Sequence, residues 1–146
     1  MRTAIDTNVI SALLSAEPKA AEISEILSDA LGEGALVICG PVYAELSAYP
    51  KISAKFVDDF LAATGISVDF ELGATVWREA ALRFAKYASR RRSSRGHHPK
   101  RLLTDFIVGA HALLRADRLL TLDEGCYTQD FPDLARIAIR SRRRFQ

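Results

Sequence analysis

Cysteine is scarce in this chain. The two present, Cys39 and Cys126, are too few for a disulfide framework and are not spaced as a metal-binding pair, so both are expected as free thiols. No apolar run approaches the roughly 18 residues that would span a bilayer. The N-terminus enters a charged, strand-like segment at once, without the long apolar stretch of a secretory signal. The cytoplasm is therefore the expected location. No histidine pair, and no serine or cysteine with a partnering base, suggests an activated nucleophile. With 146 residues, 49% of them hydrophobic, the chain has the size of one domain with a real core.

The other conspicuous lack is of acid in one place. Between Glu79 and Asp105 no Asp or Glu occurs, while Arg83, Lys86, Arg90, Arg91, Arg92, Arg95, Lys100 and Arg101 all do. The C-terminus adds Arg136, Arg140, Arg142, Arg143 and Arg144. The net charge is only +2, so the asymmetry carries more information than the sum. It fits a protein that meets a polyanion; a solvated loop and a frayed tail are the plainer reading. The stretch SRRRSSRGHHPKR, residues 89–101, combines Ser, Gly, Pro and repelling charges and is expected to be a mobile loop. There is no internal repeat.

What is present is an alternation of short apolar runs with helical periodicity. Arg2 to Ile5, Leu36 to Ile38, Ile66 to Val68, Arg118 to Thr121 and Ala135 to Ile139 read as strands. Helices are expected from Pro18 to Gly32, from Gly40 to Tyr49, around Phe56 to Leu61, and over Leu102 to Leu114. A long helix carries Trp77, Ala80, Ala81, Phe84 and Ala88 on one face and runs into the arginines. Strands separated by helices predict a parallel sheet with helices on both faces, an α/β fold.

In such a sheet, ligands bind at the carboxyl ends of the strands. Asp6 follows the first strand there, in AIDTNVI, and Asp123 follows the fourth, in RLLTLDEG. Asp117 precedes that strand and belongs to the opposite edge. Asp69 also follows a strand, but it reads more readily as the cap of the next helix. Asp105 opens a helix that is apolar all round and hence buried. Gly109 and Ala112 continue its face with small side chains, leaving room for a close neighbour. Glu45 sits beside the apolar stripe of its helix, where a surface role is the commoner one. His111 reads as an interior residue.

Together Asp6, Glu45, Asp105 and Asp123 can converge on one pocket. Carboxylates so packed repel one another. Mg²⁺ or Mn²⁺ would compensate them, taking oxygen ligands from a few carboxylates and filling its shell with water and phosphate oxygens. Asp6, Asp105 and Asp123 are the candidate metal ligands. Thr7, Asn8 and Thr121 would hold the carboxylates by hydrogen bonds.

IDTNVISALL, PVYAEL, TDFIVGAHAL and LLTLDEGCYTQDFPDL, in that order along the chain, resemble the PIN-domain ribonucleases, most of all the VapC-type toxins of bacterial toxin–antitoxin pairs. The resemblance implies a three-layer α/β/α sandwich with strand order 3-2-1-4-5. It implies a metal-dependent endoribonuclease whose acidic set is Asp6, Glu45, Asp105 and Asp123. It also implies a homodimer and a small cognate antitoxin that reaches the acidic pocket. Arg90, Arg91, Arg92, Arg95, Lys100 and Arg101 would then contact RNA phosphates. The arginine-rich segment before Asp105 departs from the common pattern. So does Gly109, where members often carry Ala, and that change is expected to be harmless. Two other readings stand beside this one: an RNA-binding scaffold without catalysis, and a phosphatase with Asp6 as nucleophile. Asn8, where such phosphatases usually carry a second Asp, weakens the latter.

Overall fold

A computed structural model describes residues 1–97 and 100–139 of the chain. His98 and the C-terminal arginines Arg140, Arg142, Arg143 and Arg144, read above as parts of the basic segments, lie outside the described residues. The elements run β1 (Arg2–Ile5), α1 (Thr7–Leu14), α2 (Ala20–Glu33), β2 (Ala35–Cys39), α3 (Gly40–Ser47), α4 (Ala54–Thr64) and β3 (Ile66–Asp69). They continue with α5 (Gly73–Ser93), α6 (Leu103–Arg115), β4 (Arg118–Thr121), α7 (Glu124–Asp130) and β5 (Arg136–Ala138). The five strands form one parallel sheet in the order β3-β2-β1-β4-β5, with helices on both faces, so the α/β/α sandwich and its strand order are as expected.

Burial follows from the strand sequences. Ala4, Ile5, Val37, Ile38, Leu119 and Leu120 are each at most 1% exposed, so β1, β2 and β4 are covered on both faces. Local signals set the helix ends. The Ser53 hydroxyl accepts the Phe56 N–H and starts α4, and Gly65 ends it at φ +72°, a conformation that costs a side-chain-bearing residue free energy. Asp117 sits at the amino edge of the sheet, accepting the Arg2 amide at 2.6 Å.

Helix α6 crosses the middle of the molecule, and every residue from Phe106 to Ala112 is buried, His111 included. The room left by Gly109 is taken by Phe131. A Cβ built on Gly109 would stand 2.5 Å from that ring's Cε2 and 2.6 Å from Cζ. Gly109 is thus a steric requirement of the Phe131 packing.

Three readings change. The arginines at 90–92 are not in a loop: α5 continues through Ser93. Arginine is a good helix former, and cations in a last turn are favoured by the helix dipole. The buried face of α5 is Val76, Ala80 and Tyr87, with Phe84 packed against the core, whereas Trp77 is 48% exposed. Helices α1 and α7, to which the sequence reading gave no element, flank the carboxyl ends of the central strands.

Candidate active site

Strands β1 and β4 pair with Ile5 beside Leu120, and the Asp6 amide donates to the Leu120 carbonyl at 3.0 Å. The two chains leave the sheet together, which sets Asp6 next to Thr121. Asp6 is 8% exposed, and burial raises its pKa, with the charge of Asp105 adding to the rise. Four donors reach its carboxylate, and those of Tyr127, Thr121 and Thr7 oppose the rise. The Thr7 amide donates to Oδ1 at 2.8 Å, as the first turn of α1 requires of its N-cap. The Thr121 hydroxyl at 2.9 Å, the Tyr127 hydroxyl at 2.8 Å and the Asn8 amide at 3.4 Å all converge on Oδ2.

Asn8 and Thr121 thus both donate to Asp6 Oδ2. Asn8 also accepts the Leu122 amide at 3.1 Å, and Thr121 accepts the Asp123 amide at 3.1 Å, tying the β4–α7 turn to the start of α1. Thr7 holds Asp6 through its backbone, while its hydroxyl is buried with no hydrogen-bond partner among the described residues.

Tyr127 is the residue the sequence reading missed. It is 1% exposed. Burial, and then the charge of Asp6, push its pKa far up, so the phenol keeps its proton and donates it to the carboxylate. A signal for it existed. Asp123 accepts the Cys126 amide at 3.1 Å and so starts α7, and Tyr127 falls one helical turn later, beside the buried Cys126.

Asp105 stands in the first turn of α6. Its Oδ2 accepts the Leu102 amide at 3.0 Å, and its charge also reaches Asp6 and Cys126. Asp123 is half exposed and faces Arg101, whose Nη1 lies 3.5 Å from its Oδ2. Burial pushes the Cys126 thiol up to about 12, with Asp105, Asp123 and Asp6 adding to the shift. Cys39 is pushed up to about 11, again by burial first, with Asp6 and Glu45 adding. The two thiols are free and buried; the charges of Asp105, Asp123 and Asp6 reach Cys126, and those of Asp6 and the exposed Glu45 on α3 reach Cys39.

Among the described residues, no three Asp, Glu, His or Cys side chains stand close enough to grip one ion. Asp105 is turned to its helix end and Asp123 to Arg101. The donors are nonetheless hard carboxylate oxygens of the kind Mg²⁺ and Mn²⁺ take, and Mg²⁺ needs only one or two of them beside water. Asp6 supplies the physical reason for a cation: its burial favours the neutral form, and four donors still aim at the charged one.

Two other groups of side chains lie apart. Asp69 does not cap the next helix. Its Oδ2 meets the buried His111 ring at 3.2 Å and Arg115 at 3.8 Å, and burial lowers the His111 pKa. Arg90 pairs with Asp130, away from the other arginines of its segment.

The chain belongs to the PIN domain family, whose model matches residues 3–132. Its fold is shared by VapBC-1 from nontypeable Haemophilus influenzae, with 22% identity over 94% of this chain and 98% of that one, at a TM-score of 0.62. It is shared as well by VapBC2 from Rickettsia felis, solved bound to a DNA fragment from its promoter, with 17% identity over 96% and 100% of the two chains and a TM-score of 0.62. No curated protein matches the sequence.

Proposed function

We propose that this PIN domain is a Mg²⁺- or Mn²⁺-dependent endoribonuclease, the toxin of a cytoplasmic toxin–antitoxin pair, acting as a homodimer. One observation carries the reading. Asp6 is a buried carboxylate on which Thr7, Asn8, Thr121 and Tyr127 converge, with the charge of Asp105 close by. A chain keeps a desolvated charge of this kind when a ligand of opposite sign offsets its cost.

Asp6, Asp105 and Asp123 would hold the ion, with Glu45 at the margin. Bound there, a divalent cation supplies an acidified water and neutralises charge on the scissile phosphate. The protein does the remainder. Tyr127, Thr121 and Asn8 fix the direction of Asp6. Glu45, exposed, accepts a proton from water. Arg101 moves from Asp123 to a phosphate oxygen as substrate enters. Arg91, Arg92, Arg95 and Lys100 bind the backbone beyond. Arg90, engaged by Asp130, drops out of the RNA set proposed from sequence. Hydrolysis by water leaves a 5′ phosphate and a 3′ hydroxyl. A groove of about 400 Å³ lined by Leu13, Leu27, Leu31 and Phe60 offers apolar surface to the antitoxin.

The test is cleavage of single-stranded RNA by the purified chain, with Mn²⁺ uptake followed by calorimetry. Asp6→Asn and Asp105→Asn should each abolish cleavage while the circular dichroism stays native. Wild-type turnover in either variant removes that residue from the site. The Arg101–Asp123 pair, together with the lack of a ready-made cage among the described residues, favours one competing reading, an RNA-binding scaffold. A chain that takes up no Mn²⁺ while binding RNA would establish that reading instead.

A further inference from the structure

The last turns of α5 and the chain leading into α6 border an open pocket of about 470 Å³. Its wall combines two kinds of side chain. Phe84 and Tyr87 stack with ring centroids 6.0 Å apart and form an apolar floor. Arg91, Arg92, Arg95 and Lys100 form a cationic rim, and among the described residues no acidic one lines the pocket.

Three features tie this pocket into the structure. The Tyr87 hydroxyl accepts the Arg101 amide at 2.5 Å, which fastens the far wall to the floor. Arg101 also reaches Asp123, so the cavity adjoins the acidic site. The Nε of Arg91 is buried with no hydrogen-bond partner among the described residues, a donor left for an incoming acceptor. Arg95 holds a left-handed backbone at φ +55°, followed by Gly96 at φ +81°. That turn is closed by the Gly96 amide on the Arg91 carbonyl at 2.9 Å. With the Arg95 amide on the Arg92 carbonyl at 3.2 Å, this is a left-handed helix C-cap, which ends α5 and turns the chain back over the rim.

We propose that this cavity binds one nucleotide of the RNA strand, its phosphate on the arginine rim and its base against Phe84 and Tyr87, one step from Asp123. The inference rests on the nuclease reading for the identity of the strand and extends it to a subsite. The size is right, since small-ligand sites begin at roughly 300 Å³. The combination is also specific to nucleotides. A phosphate alone would need no aromatic floor, and a base alone would need no cationic rim. A disordered loop of solvated arginines, the plainer reading of the sequence, would present neither.

The experiment is calorimetric titration of the full chain in EDTA with adenosine 5′-monophosphate and, separately, ribose 5-phosphate. The nucleotide should bind about tenfold more tightly, because only it can stack. Arg91→Gln with Arg95→Gln should abolish that binding, and Lys100→Gln alone, on the exposed rim, should weaken it several-fold, about threefold or more. Arg90→Gln, outside the cavity, should leave it unchanged. Equal affinity for the two probes overturns the assignment, as does wild-type binding by the double variant. EDTA separates this proposal from the one it rests on. Nucleotide binding by a chain that cuts no RNA supports the pocket and removes the nuclease reading. RNA cleavage by a chain that ignores the nucleotide overturns the pocket alone.

Discussion

Replacing Gly109 with Ala should destabilise the protein, against the ordinary preference of helices. In a helix interior Ala is favoured over Gly by about 0.8–1 kcal/mol. At this position the new Cβ would lie 2.5, 2.6 and 2.8 Å from three atoms of the Phe131 ring, all inside van der Waals contact. The ring has nowhere to go. Phe131 is 1% exposed, its centroid lies 6.2 Å from those of both Phe106 and Tyr127, and the Arg83 guanidinium covers it at 4.6 Å. Overpacking of this sort costs about 1–3 kcal/mol, and three close contacts with a confined ring place it in the upper half. The net loss is then about 1–2 kcal/mol, roughly 2–8 °C in Tm for a chain of this length. Urea unfolding followed by far-UV circular dichroism would measure it. A Gly109→Ala variant with an unchanged or raised midpoint would refute the packing argument. The strain also points at the site, because the displaced ring packs on Tyr127, which holds Asp6. Mn²⁺ affinity should therefore fall together with stability.

Other expectations concern charge. Since burial raises Asp6 in the folded chain, the native state holds that proton more tightly than the unfolded one. The contribution of Asp6 to stability is complete below the usual aspartate value and is lost as pH rises through the raised one. In EDTA, Asp6→Asn should thus equal or exceed the wild type in stability at pH 7, with the gap closing toward pH 4. A variant weaker by more than about 1 kcal/mol at pH 7 would contradict this, given that Asn caps a helix as well as Asp does. Cys39 and Cys126, with pKa values of about 11 and 12, should resist maleimide at pH 8 until the chain unfolds; prompt labelling of the native protein would disprove their burial. Neutralising Arg92, Arg95 and Lys100 together should flatten the logarithmic salt dependence of single-stranded RNA binding by about 2, at roughly 0.7 per phosphate contact. An unaltered slope would make the rim a solvated surface.

The parts of the fold legible in the sequence were those with long, one-sided signals. Helix α6 is apolar around its circumference, and that pattern admits only a buried element. The acids at the ends of β1 and β4 follow from parallel strands, because register carries Asp6 and Thr121 to the same edge. Short elements were opaque. Helix α1 opens TNVI, whose β-branched residues continue a strand as readily as they start a helix. Helix α7 has seven residues, too few for a period to show. Missing it hid Tyr127, whose role depends on the helical turn that brings it back over Asp6. The arginines at 90–92 misled for another reason. Like charges suggest a solvated loop, yet here Asp130 neutralises one of them and the helix dipole favours the rest.

Two of the bonds that orient Asp6, from Thr121 and Tyr127, join residues 115 and 121 positions apart. Strand β1 lies in the middle of the sheet, and its carboxylate is set by side chains that follow it by more than a hundred positions. Cutting the chain before Thr121 would leave Asp6 with Thr7 and Asn8 alone, so a truncated product would lose the orientation of its central acid.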